Sequence, residues 1–316
     1  MLFRVKNRLN YSYFKFRTRG VYCTPPTPCD SSAPCDVHTM LGRRDFALYL
    51  VAIKSLLRFY PSVAVTVHSD GTLDSASREV LQRHVPGCRF IAADEARARA
   101  ARALGRSSFL YGCRDFDVNY RRLIDTELWS TSAKRIIIDS DILVLRSPAE
   151  VVDWIENGKG AFLIGQAPPS APAADDRSPL PAGAHVQTVF KRNLGPLSEA
   201  LGFAKKFQDG TTAGFYGCES ELRLNKIEQV VRKCLDLGIP VEHWGSDQCV
   251  VIYLLSLADA CTLSPERYFN FWPDEVGRIP CAHVVHFLGT NRFYKNVYTR
   301  LASKVVRELS AARSCS

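Results

Sequence analysis

A chain of 316 residues, 46% of them hydrophobic, is long enough to bury a sizeable core as one large domain or two small ones. Its apolar runs fall short of the ~20 residues that cross a bilayer. The net charge of +9 gathers at the ends, with six Lys/Arg and no acid in residues 1–20 and six against one Glu in residues 292–316. The near-neutral body argues against a nucleic-acid binder with a basic face. Basic ends fit an anionic membrane surface, phosphate handling or plain solvation of the termini.

The first residues are basic but lack a continuous apolar core and a small-residue cleavage site, so they do not read as a signal peptide. The expected location is cytoplasmic, with peripheral contact at the inner face of the membrane as an extension. Eleven scattered cysteines suit reduced thiols better than a disulfide framework. Residues 1–34 mix basic and aromatic residues and then turn rich in Pro, Cys and Ser, which predicts a loosely ordered leader. Cys23, Cys29, Cys35 and His38 lack the tight spacing of a zinc site. Residues 35–316 read as a single domain.

Asp36–Met40 has the pattern of a first strand. Phe46, Tyr49, Leu50, Ile53, Leu56 and Leu57 recur at helical spacing, and Pro61 stops the run. Val63–Val67 is a strand closed by the turn Ser69-Asp70-Gly71. A helix over Ser75–His84, a strand over Arg89–Ala92 and helices over Asp94–Leu104 and 119–131 follow. This alternation implies a mainly parallel central sheet flanked by helices, an α/β fold. In Ile136-Ile137-Ile138-Asp139-Ser140-Asp141-Ile142 an apolar, β-branched strand runs into two carboxylates. Such runs are buried on both faces, and their C-terminal edges are where open α/β sheets bind ligands. The paired carboxylates repel unless a cation offsets them. Mg²⁺ or Mn²⁺ would do so, particularly beside phosphates. The bland alternative is a strand end with two solvated aspartates.

Ser147-Pro148-Ala149-Glu150 predicts a helix start with a capping box, and Ala161–Ile164 a strand. Residues 166–184 carry five prolines and predict a long exposed insertion, a lid or a surface excursion. Thr211–Gly217 reads as a strand whose small residues admit a ligand close to the backbone. A long amphipathic helix then runs to Leu237. Ser246 is a cap for the helix through Leu257, and His283–Leu288 is a strand followed by Gly289 and Arg292.

Asp139-Ser140-Asp141, the Thr-Ala-Gly strand, Ser246-Asp247-Gln248 and His286-Phe287-Leu288-Gly289-Thr290-Asn291-Arg292 occur in that order. The ordered set resembles the retaining glycosyltransferases of family 8, the glycogenin and bacterial lipopolysaccharide galactosyltransferase group, over roughly residues 36–296. The resemblance implies a GT-A fold (nucleotide-diphospho-sugar transferase) and sugar transfer from a nucleotide sugar, most often UDP-linked. The implied cofactor is Mn²⁺, or Mg²⁺, held by Asp139, Asp141 and His286. It further implies that Asp139 and Ser140 lie close to the donor and that the Gly289 backbone meets the diphosphate. Arg121 or Arg122 would contact the donor, while Asp247 and Gln248 line the sugar. His38 and Thr39 fall where the first strand meets the base. Arg292 stands where the family has lysine, a departure that is not a neutral swap; Lys295 could take that role. The implied acceptor is a surface glycan or lipid-linked sugar. Two rival readings stay open, an aspartate-nucleophile phosphatase and a nucleotide-binding scaffold without turnover.

Overall fold

The structure is a computed structural model, and it describes residues 2–165, 183–202, 212–220, 223–258 and 260–311. The insertion expected at 166–184 therefore lies almost wholly outside the described residues, as does Thr211.

Seven strands form the central sheet: β1 (Cys35–Leu41), β2 (Ala64–Ser69), β3 (Arg89–Ile91), β4 (Lys134–Ile138), β6 (Ala161–Leu163), β7 (Phe215–Glu219) and β8 (Cys261–Thr262). Their spatial order is β3-β2-β1-β4-β7-β6-β8. The first four are mutually parallel, β7 runs antiparallel to β4 and β6, and β8 is parallel to β6. A second sheet has β10 (Val284–His286) between β5 (Ile142–Val144) and β9 (Tyr268–Asn270). The chain passes from one sheet to the other through Asp139-Ser140-Asp141, so the two carboxylates occupy the joint.

The apolar run of β4 divides its residues between two cores. Ile136 and Ile138 point to the core shared with α2 (Phe46–Leu57) and α12 (Val297–Ala311), and Ile137 points to the other. On that second face pack α4 (Ala93–Leu104), α6 (Val118–Trp129), α10 (Leu224–Asp236) and α11 (Ser246–Leu257). Strand alternation requires this division, and it explains why the run has no polar partner face. Helix α2 is buried along its whole length. Short helices complete the layers: α3 (Ser75–His84), α5 (Phe109–Phe116), α7 (Ala149–Asn157), α8 (Val186–Arg192) and α9 (Leu194–Leu201).

Three local expectations are corrected. Residues 2–23 are not loose: α1 (Leu2–Thr18) and a following 3-10 turn pack on α12, with Phe14 and Val21 fully buried. Phe14 stacks on Tyr298 at 5.0 Å. The capping box of α7 does not form, because the Glu150 carboxylate accepts instead from the Ser264 amide at 2.9 Å. Ser246 does not cap α11, since Gly245 takes that position at φ 91° and the Ser246 hydroxyl donates to the Val241 carbonyl. Among the described residues, no helix is long and apolar enough to cross a membrane.

Candidate active site

Asp139, Asp141 and His286 bring one ligand atom each to within 4.8 Å of one another. Pairing places them. In the small sheet His286 stands opposite Ile142 on one side and Asn270 on the other, and the Phe287 amide donates to the Asp141 carbonyl at 3.0 Å. Imidazole Nε2 consequently faces Asp141 at 3.3 Å and Asp139 at 3.8 Å. The other nitrogen, Nδ1, lies 3.1 Å from the Asn270 side-chain oxygen and 3.1 Å from the Thr212 hydroxyl. An amide oxygen only accepts, so donation from Nδ1 to Asn270 would leave Nε2 free for a cation lying between it and the carboxylates. Two carboxylates and a histidine oriented in this way suit a divalent cation.

Two arginines stand over the pair. Arg122 donates to Asp139 at 2.5 Å and to Asp247 at 2.8 Å, joining α6 to α11 across the joint. Arg292 donates to Asp141 through Nε at 2.9 Å and Nη2 at 2.5 Å, and also to the Tyr11 hydroxyl on α1. Burial pushes the Asp141 carboxyl up, but Arg292 and His286 more than offset it and leave Asp141 well below the ordinary carboxylate range. For Asp247 burial wins over the Arg122 charge, and the carboxyl is raised. Burial acts to lower Arg122 and Arg292, and their carboxylate partners hold both protonated.

The small residues before β7 line the larger cleft, and Gly214 has a second use. A Cβ on Gly214 would meet His286 Cε1 at 2.4 Å and Asp139 Oδ2 at 2.7 Å. The site's own side chains also close on the backbone here.

Two clefts of about 770 and 580 Å³ open on this joint and share Arg44, Asn119, Arg122, Asp139, Asp141 and Arg292. The smaller runs over the C-terminal ends of β1 and β2, lined by Met40, Asp70 and Ser140 among others. The larger holds His286, Gly289, Asp247 and Gln248, with Gln187 of α8 bonded to Gln248. Gly289 adopts φ 55°, the left-handed region.

Most of the residues read from the sequence meet here; four do not line either cleft. His38 and Thr39 are buried within β1, where His38 contacts His68 at 3.0 Å and Asp36 at 3.1 Å, and Thr39 donates to the Ile138 carbonyl at 2.6 Å. The strand continues to Leu41, so its edge begins at Met40. Arg121 donates away from the joint, to the Asp70 carbonyl, and Lys295 is exposed over the Tyr294 ring. Asn270, Tyr11, Asn119 and Gln187 line the site without having been singled out. Asn270 had a signal, since Tyr268-Phe269-Asn270-Phe271-Trp272 is an aromatic strand run interrupted by one amide.

No family model matches this sequence, and no curated protein is similar to it in sequence. Solved structures are similar in fold. A galactosyltransferase, LgtC, in complex with donor and acceptor sugar analogs aligns over 88% of this chain and 95% of its own, with a TM-score of 0.54 at 15% identity. A bifunctional glycosyltransferase, WbbM, in its apo structure aligns over 89% of this chain and 52% of its own, with a TM-score of 0.55 at 13% identity. The chain has the mixed α/β, mainly parallel architecture of the GT-A glycosyltransferases, with an Asp-Asp-His group at its joint.

Proposed function

We propose that this protein is a metal-dependent, retaining glycosyltransferase of family 8 type, using a nucleotide sugar, UDP-linked, and an acceptor hydroxyl on a glycan or lipid-linked sugar at the cytoplasmic side of a membrane. One observation carries the reading. The Asp139–Asp141–His286 group lies where two clefts meet, with Nε2 facing both carboxylates and Nδ1 set against the Asn270 oxygen. Mn²⁺ or Mg²⁺ held there would offset charge on a departing diphosphate.

The chain's own residues have the remaining roles. The cleft over β1 and β2 takes the nucleoside, with Ser140 and the Asp139 backbone along its floor. Arg122 and Arg292 offer planar, permanently charged donors to the diphosphate, and the Gly289 backbone stands in the same cleft without a side chain to block it. Asp247 is fixed by Arg122 and orients the sugar together with Gln248. A retaining transfer then has the acceptor hydroxyl enter from the larger cleft, on the face the diphosphate leaves.

A second reading, nucleotide binding without turnover, is favoured by Arg292, which replaces the family lysine and is engaged with Asp141. Thermal melting with nucleotides and nucleotide sugars, with and without Mn²⁺, tests both, since a ligand of the native state raises the melting temperature. The expected result is a Mn²⁺-dependent rise with UDP or one UDP-sugar, lost in Asp141→Ala and His286→Ala. Hydrolysis or transfer of that sugar separates the first reading from the second. No rise with any nucleotide in folded protein overturns both.

A further inference from the structure

Helix α1 has two working faces. Phe14 and Thr18 are fully buried against the body, and Asn7 and Tyr11 on the same side line the larger cleft. Opposite them Val5, Leu9, Tyr13 and Phe16, spaced by four, four and three residues, form an outward stripe, exposed by 55, 64, 40 and 59%. Spacing of three and four places these side chains on one face, over about 17 Å of helix axis at 1.5 Å per residue. Lys6 and Arg17 flank the stripe on one side, Arg8 and Lys15 on the other, and the first acidic residue of the chain is Asp30.

Beside the end of the stripe a groove of about 460 Å³ runs between α1 and α12, lined by Phe16, Arg17, Arg19, Val306 and Arg307 among others. Arg17 and Arg19 lie over the Tyr13 and Phe16 rings. Among the described residues, neither they nor Arg307 has a carboxylate partner.

We propose that this face docks on an anionic lipid bilayer. An apolar ridge bordered on both sides by cations is the pattern of a helix lying in the membrane interface, with its apolar side among acyl chains and its cations at the headgroups. The groove matches that division: the three arginines take a lipid phosphate while Phe16, on its rim, enters the apolar layer. An acidic protein surface would satisfy the cations and leave Leu9 and Phe16 unburied. Because Asn7 and Tyr11 of the same helix line the larger cleft, docking brings that cleft to the headgroup layer, where a lipid-linked acceptor would lie. That last consequence rests on the proposed transferase reading, whereas the docking does not.

Co-sedimentation of the full chain with phosphatidylcholine vesicles, with and without a third of phosphatidylglycerol, tests the docking. Binding is expected on the anionic vesicles only. It should weaken at least about tenfold in Leu9→Ser/Phe16→Ser and on the order of a hundredfold in Arg17→Gln/Arg19→Gln/Arg307→Gln. All five side chains are on the surface, and circular dichroism and melting confirm that the variants fold. Absence of binding to anionic vesicles, undiminished binding by either variant, or equal capture by poly-glutamate overturns the proposal. So does displacement by millimolar inorganic phosphate, which would mark the groove as a site for a free ion. The Mn²⁺- and UDP-dependent melting shift, read on the same samples, reports separately on the transferase reading.

Discussion

Asp139 and Asp141 are separated by one residue, yet they are supported by different halves of the molecule. The Asp139 side is built from the large sheet, with Arg122 on α6 reaching to Asp247 on α11. The Asp141 side is built from the small sheet, with Arg292, His286 and, beyond them, Tyr11 of α1. The Asp139 side chain is 32% exposed and the Asp141 side chain 5%. One carboxylate is open to the clefts, and the other is an anchor held by Arg292 and His286. Removing the partner of a buried charge costs several times what an exposed pair contributes, so the two positions should respond differently to the same substitution.

The largest expected effect follows from that. Asp141→Ala leaves the largely buried Arg292 guanidinium with only the more distant Asp45, at 3.8 Å, as a carboxylate partner. We expect a loss of about 3–5 kcal/mol in urea unfolding together with the Mn²⁺-dependent melting shift. Asp139→Ala should lose the shift equally but cost only about 1 kcal/mol. Equal stability losses in the two variants would break the comparison.

Arg122→Lys tests the other side. A single ammonium cannot fork to Asp139 and Asp247 together, and Asp247 is buried. Sugar transfer should fall on the order of a hundredfold in kcat/KM, with the metal-dependent melting shift retained. Loss of that shift would mean that Arg122 holds the metal ligands as well as the donor.

Gly214→Ala acts on both sides at once. The added Cβ must displace His286 or Asp139, which it would meet at 2.4 and 2.7 Å. Titration calorimetry should show Mn²⁺ affinity reduced by about tenfold or more, with about 1–3 kcal/mol of overpacking cost. Unchanged affinity would show that the site tolerates rearrangement of His286.

The two sides also differed in how readable they were. The Asp139 side was legible because β4 ends in a continuous β-branched apolar run and β1 and β2, though they carry polar residues, are closed by turn residues at their C-terminal edges. The Asp-Ser-Asp joint could be placed from the same signal, whereas His286, in a three-residue strand, was singled out by its spacing to Gly289 and Arg292. The Asp141 side is made of strands of three residues, too short for an alternation to register, and β9 was passed over with Asn270 in it. Tyr11 was missed because aromatic residues fall on both faces of α1 and Asn7 and Thr18 on the inward one, which hides the period that marks an amphipathic helix. Helix α5 went unread for another reason: its inward face includes Arg114, which is buried and forks to Asp125 at 2.6 and 2.9 Å. His38 and Thr39 were put at the base by the resemblance alone, and in the structure both are buried in mid-strand. A buried polar pair in mid-strand carries the same letters as a ligand-facing edge.

The smallest effect separates the sides by pH. The N-terminal segment that supplies Tyr11 continues to residues clasped against the end of α3, where the Thr27 amide donates to the His84 carbonyl at 2.9 Å. Lys54 donates to the Pro25 carbonyl at 2.5 Å and lies 3.4 Å from His84. Burial, and then the Lys54 charge, pushes His84 down to about 4. An unfolded histidine titrates near 6.5, so between these values the unfolded chain binds a proton that the native chain does not. Stability therefore falls as pH drops from about 6.5 to about 4, and buried His68, also held well below its ordinary value, adds to the same slope. Urea unfolding should lose on the order of 2 kcal/mol to His84 across this window, and His84→Gln should remove that share. Protonating His84 beside Lys54 loosens the clasp first, so hydrogen-exchange protection, corrected for intrinsic rates, should fall earlier in residues 2–29 than in α6. Simultaneous loss in both would mean that the Asp139 side depends on the N-terminal segment as much as the Asp141 side does.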